Sequence, residues 1–180
     1  ASLSFIRDQI LVHLTAADEV AAVVVEPIQG EGGYIVPPKA FLQGLRELTR
    51  QHGILLVLDE VQSGMGRSGK MFASEHFDVK GDVVNIAKGI ASGLPLGITC
   101  ARADVMSWPP GAHASTFGGN PVSCAAALAT LDLIEAGLLE NTIARGEQMR
   151  AGLEQLAGRH DIVTDVRGRG LMLAFELATS

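Results

Sequence analysis

The sequence predicts an α/β fold with a mostly parallel sheet and helices on both faces. Continuous apolar runs rich in β-branched residues recur along the chain, helix-spaced apolar stripes lie between some of them, and polar residues directly follow several runs. Continuous apolar runs of this length are typical of strands buried on both faces of a parallel sheet. Strands that alternate with helices in this way indicate the α/β class.

The first third of the chain contains two predicted helices and two predicted strands. Apolar residues at helical spacing predict a helix over 2–14, and an apolar run predicts a strand over 20–25 that is buried on both faces. A one-sided apolar stripe predicts a second helix over 39–52, with Gly53 as its stop. The second predicted strand covers 54–58.

The remaining elements are predicted in the same way. Strands are expected over 82–87 and 97–101, followed by a helix over 121–136 that Asn120 and Pro121 open. Because this helix is apolar nearly all round, we expect it to be buried. A more polar helix over 139–157 and two strands, over 162–166 and 171–177, complete the order.

Composition and charge narrow the classes of function. The chain has 180 residues and a net charge of −6, and its basic residues are scattered, which argues against a nucleic-acid partner. No run approaches the length of a membrane span and the N-terminus does not resemble a signal peptide, so we expect no membrane partner. Cys100 and Cys124 show no bridging or metal-site spacing and are predicted to be buried thiols of a cytoplasmic protein.

Three polar residues, Glu26, Asp59 and Lys88, follow predicted strands. Ligands of open parallel sheets bind beyond the carboxyl ends of the strands, so these side chains are the candidate site. Burying a lysine beside a strand is costly unless its amine has a chemical role, and an amine with a lowered pKa is suited to Schiff-base chemistry. The alternative for Lys88 alone is a side chain that reaches solvent from the strand end.

Asp59 strengthens the interpretation of Lys88 as a functional amine. A carboxylate at the end of a neighbouring strand can keep a pyridinium nitrogen protonated, which makes the ring an electron sink. Gln62 could donate a hydrogen bond to a ring hydroxyl, although by itself it is an ordinary loop residue. Five scattered histidines do not form a metal-ligand pattern, and no metal is expected.

Several segments together resemble the class III pyridoxal-phosphate-dependent aminotransferases, most closely the 4-aminobutyrate and acetylornithine branch. The segments are 26–33 (EPIQGEGG), 58–64 (LDEVQSG), 87–89 (AKG), 93–97 (GLPLG) and 115–121 (STFGGNP). They occur in the family order and the resemblance extends over nearly the whole chain. It implies a fold type I large domain, with a cofactor-binding portion over 1–137 and a linking helix and the start of a small α+β domain over 138–180.

The resemblance also implies a cofactor, pyridoxal 5'-phosphate, and a role for each matching residue. Lys88 would form the Schiff base and move the proton, and Asp59 would pair with the pyridine nitrogen. Val61 would lie against the ring and Gln62 would contact its hydroxyl. The two remaining roles are binding of the partner subunit's cofactor phosphate by Thr116 and, for Glu26, pairing with a substrate-binding arginine.

The implied reaction is amino transfer from an ω-amino acid to 2-oxoglutarate in a homodimer or higher homo-oligomer. In the family, a phosphate-binding loop and a ring-stacking aromatic residue precede the segments found here, and a substrate-binding arginine follows them. Ala1 at the start and an apolar stretch near the end also fit a fragment or a processed product. We therefore expect this chain alone to bind the cofactor weakly and to be inactive.

Three alternatives to the transaminase interpretation stay open. Residues 64–69 match the glycine pattern of dinucleotide-binding proteins, but the preceding strand ends too early and no long apolar helix follows. A pyridoxal-phosphate decarboxylase or aminomutase would share Lys88 and Asp59. A non-catalytic fragment would keep the fold without the reaction. Arg67 and Arg169, in glycine-rich loops, are interpreted as loop anchors or surface charges.

Overall fold

The computed structural model describes residues 2–178 and contains one sheet of four strands in the order β1-β2-β3-β4. The strands are β1 (Ala22–Val25), β2 (Leu55–Asp59), β3 (Val83–Ile86) and β4 (Ile98–Ala101). β1, β2 and β3 are mutually parallel, and β4 pairs with β3 in the antiparallel direction. The prediction of an α/β fold with a mostly parallel sheet is confirmed, and the four predicted strands of this sheet are present within two residues of their expected ends.

Two helices belong to the first third of the chain. Helix α1 (Ser2–Phe5) continues as the π-helical segment Ile6–Leu14. The predicted N-terminal helix is therefore present, but most of it is π-helical. Helix α2 (Lys39–Gln51) buries Leu42, Leu45 and Leu48 along one stripe. Gly53 follows it with a φ of +68°, the left-handed conformation that glycine adopts most easily, and ends the helix as predicted.

Helix α3 (Pro121–Leu133) begins where the sequence indicates. The side chain of Asn120 accepts hydrogen bonds from the backbone N–H groups of Val122 and Ser123, and Pro121 occupies the first turn. A π-helical segment, Ile134–Leu138, joins α3 to α4 (Leu139–Ala157). Gly137, at φ +125°, kinks this segment, so the helix predicted to end at residue 136 bends there and continues into the next one.

The prediction that α3 is buried is wrong for this chain. Only Ser123 and Ala127 of α3 are buried, whereas Val122 and Leu128 are 64% and 65% exposed. Few of the described residues pack against its outer apolar side. The run Pro121–Ala157 is also long and apolar enough to cross a membrane by length and composition, contrary to the sequence expectation, with 17% of its apolar window buried. One such helix is weak evidence for a membrane span, because a core helix meets the same criteria.

The C-terminal hairpin packs against the main core and against the loop that carries Arg67. Strands β5 (Val163–Arg169) and β6 (Met172–Leu177) pair in the antiparallel direction. Met172 is part of the main core, and the N–H of Leu171 donates to the carbonyl of Arg67 at 3.0 Å. Gly146 of α4 is so close to the backbone of Gly170 that a side chain there would collide with it. The division at 137/138 stays a prediction.

The core lies between α2, the sheet and the 3₁₀ helix Ala73–Phe77, which the sequence analysis did not predict. Strand β1 is not buried on both faces, since Val24 is 64% exposed at the edge of the sheet. The prediction of buried thiols is also wrong. Cys100 is exposed and Cys124 is half-buried, because β4 is an edge strand of the described sheet and α3 is largely uncovered.

Candidate active site

Lys88 lies immediately beyond β3, at the first position of a short 3₁₀ helix, Lys88–Ala91. Its backbone turns sharply there, with a φ of +47°. The side chain is exposed, and its Nζ donates a hydrogen bond to Oε1 of Gln62 at 3.0 Å. The end of a parallel strand therefore presents a primary amine to solvent, held by a single side-chain partner among the described residues.

Asp59 ends β2, at the same edge of the sheet as Lys88. It lies opposite Asn85 in the register of β2 and β3, and Lys88 follows Asn85 by three residues. The Asp59 carboxylate accepts a hydrogen bond from the N–H of Val61 at 3.0 Å, which fixes the turn out of the strand. The two parallel strands thus deliver a carboxylate and an amine to one edge, as the sequence predicted.

Glu60, the next residue, is a buried anchor that the sequence analysis missed. Its side chain is inaccessible to solvent. Its carboxylate accepts hydrogen bonds from the Ser63 hydroxyl at 2.6 Å and from the N–H groups of Ala73 and Ser74 at 3.0 and 2.8 Å. Glu60 therefore ties the loop that carries Val61 and Gln62 to the 3₁₀ helix Ala73–Phe77.

A cavity of about 320 Å³ opens beside the amine of Lys88. Three predicted site residues line it, but Asp59 does not. The full lining is Tyr34, Val61, Gln62, Gly64, Met65, Arg67, Lys88, Gly89, Leu171 and Met172. The structure thus brings Lys88, Gln62 and Val61 together. Leu171 and Met172 close the cavity from the C-terminal hairpin.

Glu26 and Thr116 do not line this cavity. The Glu26 carboxylate accepts a hydrogen bond from the N–H of Gly30 at 3.2 Å and faces a separate groove beside α2. Glu31, in contrast, contacts the hydrogen-bond partner of Lys88, because its Oε1 accepts a 3.4 Å hydrogen bond from Gln62. Thr116 is exposed in the segment between β4 and α3. The roles of Glu26 and Thr116 stay predictions.

The loop that bears Arg67 is stabilised from behind by His76. The Nε2 atom of His76 lies 3.2 Å from the Ser68 carbonyl and 3.1 Å from its hydroxyl. Burial lowers the pKa of His76, and the positive charge of Arg169 lowers it further. The imidazole is therefore neutral at pH 7 and serves as a hydrogen-bonding support, while the Arg67 guanidinium itself lies at the cavity.

The glycine pattern at 64–69 does not have the geometry of a dinucleotide site. Turns follow the strand, with Gly66 and Gly69 at φ values of +83° and +89°. The next regular element is the five-residue 3₁₀ helix Ala73–Phe77, in place of the long helix whose N-terminus would bind a pyrophosphate. This geometry removes the structural basis for the oxidoreductase alternative.

The residues around Lys88 fit the aldehyde and ring of pyridoxal phosphate. They provide a solvent-accessible amine, an amide beside it, an apolar side chain from Val61 in the cavity lining and a carboxylate at the same sheet edge. No described α-helix begins among the residues that line the cavity, so they offer no helix N-terminus to bind a phosphate. The described residues therefore fit the aldehyde and the ring of the cofactor better than its phosphate.

The mostly parallel sheet, with a lysine and a carboxylate at its carboxyl edge, has the fold of the fold type I transaminases. The chain belongs to the class-III aminotransferase family, whose sequence profile matches residues 5–180.

Individual relatives agree with this assignment. The chain is 49% identical to an acetylornithine aminotransferase from Methanopyrus kandleri, over 89% of this chain and 41% of the relative. It is 44% identical to an alanine/serine racemase from Pyrococcus horikoshii, over 97% of this chain and 37% of the relative. A PLP-bound amine transaminase structure from an uncultivated Pseudomonas species matches with a TM-score of 0.90 and 41% identity, over 99% of this chain and 42% of that one. The chain thus spans about two fifths of the length of these relatives.

Proposed function

We propose that this chain is the lysine-bearing part of a pyridoxal-phosphate-dependent aminotransferase. The proposed reaction moves an amino group from an ω-amino acid, similar to acetylornithine or 4-aminobutyrate, to 2-oxoglutarate. The observation that carries the proposal is the exposed amine of Lys88, hydrogen-bonded to Gln62 in a cavity at the carboxyl edge of the sheet. Membership of the class-III aminotransferase family supports it.

Each nearby side chain has a role in the proposed reaction. When bound, pyridoxal phosphate supplies an aldehyde carbon for imine formation and a ring that withdraws electrons. Lys88 would hold the cofactor through that carbon and would move a proton to and from the substrate carbon. Asp59 would keep the ring nitrogen protonated, Gln62 would contact the ring hydroxyl and orient the amine, and Val61 would contact the ring.

Further parts of the proposal concern the assembled enzyme. Thr116 binds a phosphate across a dimer interface, which fits its exposed position between β4 and α3. Glu26 pairs with a substrate-binding arginine, although in this chain Glu31 is the glutamate that contacts the lysine's amide partner. We also propose a cytoplasmic location and no nucleic-acid, membrane or metal partner.

A second candidate activity is racemisation of an amino acid on the same site. The 44% identity to an alanine/serine racemase favours it over the other pyridoxal-phosphate reactions, decarboxylation and amino migration. Proton movement by Lys88 serves both activities, so the described residues do not separate them. Whether the enzyme carries out amino transfer or racemisation depends on the substrate that the rest of the enzyme binds.

A donor screen on the full-length protein tests the proposed function. Acetylornithine, 4-aminobutyrate and 5-aminovalerate are each supplied with 2-oxoglutarate, and glutamate is measured. Single enantiomers of alanine and serine are followed by chiral chromatography in parallel. Glutamate formation from an ω-amino acid supports the aminotransferase, whereas racemisation without glutamate formation overturns it in favour of the second candidate.

The chain of residues 1–180 by itself should bind pyridoxal phosphate weakly and show no turnover. The cavity residues supply the amine and the ring contacts, but no helix N-terminus among them binds the phosphate. Absorbance titration with the cofactor measures this directly. A stable absorption band at low micromolar cofactor, together with glutamate formation, contradicts the prediction.

Asp59→Asn should weaken cofactor binding while leaving the fold unchanged. The asparagine oxygen can still accept the hydrogen bond from the N–H of Val61, so the turn is retained. The lost negative charge removes a charge-assisted hydrogen bond, which contributes about 1.5–3 kcal/mol, or about ten- to 150-fold in affinity. Cofactor dissociation constants of the full-length protein measure the effect. Asp161→Asn, at an exposed remote position, is the matched control and should bind normally.

A further inference from the structure

The side-chain amide of Gln62 is enclosed by four neighbours. Its Oε1 accepts from Lys88 Nζ at 3.0 Å, and its Nε2 donates to the Tyr34 hydroxyl at 3.0 Å and to Glu31 Oε1 at 3.4 Å. On the fourth side lies the backbone of Gly30, where any Cβ would collide with the end of the Gln62 side chain. The amide therefore has hydrogen-bond partners at both ends and backbone along one side.

These partners select one of the two possible orientations of the amide. A protonated lysine can only donate, so the atom that faces it must be the carbonyl oxygen. A carboxylate can only accept, so Glu31 requires the NH₂ group. The Tyr34 hydroxyl accepts the second N–H of that group. Lys88 and Glu31 thus agree that the oxygen points toward the amine, and the Tyr34 hydroxyl, which can donate or accept, is compatible with that orientation.

Tyr34 is held in place independently of Gln62. Its N–H and that of Gly33 both donate to the carbonyl of Gly30 at 3.0 Å, which forms a tight turn. Tyr34 has a φ of +55°, and its ring packs against the main core. The Arg167 Nε of the hairpin donates to the Gly33 carbonyl at 2.7 Å and fixes the turn from outside. A rigid turn therefore presents the hydroxyl to the amide.

We propose that Tyr34 is a positioning residue, which holds the Gln62 amide so that its carbonyl oxygen faces the Lys88 amine. The proposal rests on the proposed function, because the amine is assumed to react with an aldehyde. Without the hydroxyl, one N–H of Gln62 loses its partner and the side chain gains freedom to rotate away from Lys88. The orientation of the amine then becomes less defined, although the amine itself is unchanged.

The test measures imine formation in the full-length apoprotein, without turnover. Pyridoxal phosphate is added and its rate of absorbance change is recorded. Borohydride then traps the product, with the amine nitrogen joined to the aldehyde carbon, the oxygen leaving as water and hydride reducing the C=N bond. Peptide mass mapping locates the modified lysine. Tyr34→Phe should slow formation about two- to ten-fold, the range of a single hydrogen bond.

Three companion variants distinguish positioning from a general loss of structure. Gly30→Ala keeps the hydroxyl but pushes the Gln62 side chain aside, and should slow the reaction similarly. Gln62→Leu should do the same. Tyr34→Phe combined with Gln62→Leu should be no slower than Gln62→Leu alone, because Tyr34 acts only through the amide. Ile35→Val, at the adjacent exposed residue, should react at the parent rate.

The outcomes distinguish failure of the proposed function from failure of the positioning role of Tyr34. If the parent protein is not modified at Lys88, the proposed function fails. If it is modified and Tyr34→Phe reacts at the parent rate, the positioning role of Tyr34 fails. Multiplicative losses in the double variant also overturn it, since they show that Tyr34 acts independently of Gln62.

Discussion

In the full-length protein, Lys88→Ala should lower kcat for amino transfer by about 10⁴-fold. The change removes the only amine among the described residues that line the cavity, and with it the group proposed to move the proton, a contribution of about 10²–10⁴ on its own. Loss of the covalent attachment places the effect at the upper end of this range. Steady-state glutamate formation with saturating cofactor gives the measurement.

Lys80→Ala is the matched control for this variant. Lys80 is an exposed lysine that precedes β3 as Lys88 follows it, and it does not line the cavity. The control should retain the parent rate. If Lys88→Ala keeps more than a tenth of the parent kcat, the assignment of the reactive amine is wrong.

Asp82→Ala should destabilise the fold by about 3–5 kcal/mol, the cost of removing one partner of a buried ion pair. The Asp82 side chain is 3% exposed and pairs with two guanidinium groups. Its carboxylate accepts hydrogen bonds from Nη1 and Nη2 of Arg46 at 2.5 and 3.2 Å, from Nη1 of Arg102, and from the N–H of Leu56 at 2.8 Å. The alanine variant leaves these donors without their acceptor at the start of β3.

Chemical denaturation of the parent and variant proteins measures this loss. Asp8→Ala is the matched control, because the Asp8 side chain is 50% exposed in its ion pair with Arg7. Exposed pairs contribute at most about 1 kcal/mol. A loss for Asp82→Ala no larger than that of the control contradicts the structural role assigned to Asp82.

Asp82 also gives the fold a defined dependence on pH. Burial by itself would raise its pKa, but the hydrogen bonds from Arg46 and Leu56 and the charges of both arginines outweigh burial and lower it. Since the folded-state pKa lies below the unfolded value, the stabilisation is complete above about pH 4, the ordinary pKa of aspartate. It is lost as the pH falls from there through the folded-state pKa.

The strands and the reactive edge could be predicted from the sequence because their signals are local. Apolar runs marked β1, β2 and β3, and the residues directly after two of those runs, Asp59 and Lys88, lie at the carboxyl edge as expected. Asn120 and Pro121 marked the start of α3 through contacts within one turn. In each case the deciding interaction lies within a few positions along the chain.

The missed features depend on contacts between distant segments. Tyr34 reaches Gln62 from 28 positions away, and Glu60 reaches Ala73 and Ser74 across a loop that has no regular pattern. The burial of α3 was predicted wrongly. An apolar helix surface indicates that other residues should cover it, but not whether the described residues of this chain do so. Spacing within an element does not contain that information.

The left-handed backbone at Lys88 bears on why a lysine occupies this position. Residues with a side chain adopt such a conformation at a cost of roughly 1–2 kcal/mol, from which glycine is exempt and which asparagine tolerates. If the stability of the fold were the only requirement, glycine would be more favourable than lysine at position 88. The proposed chemistry of Lys88 and the stability of the fold therefore favour different residues at this position. We expect selection for thermostability alone to replace this lysine early.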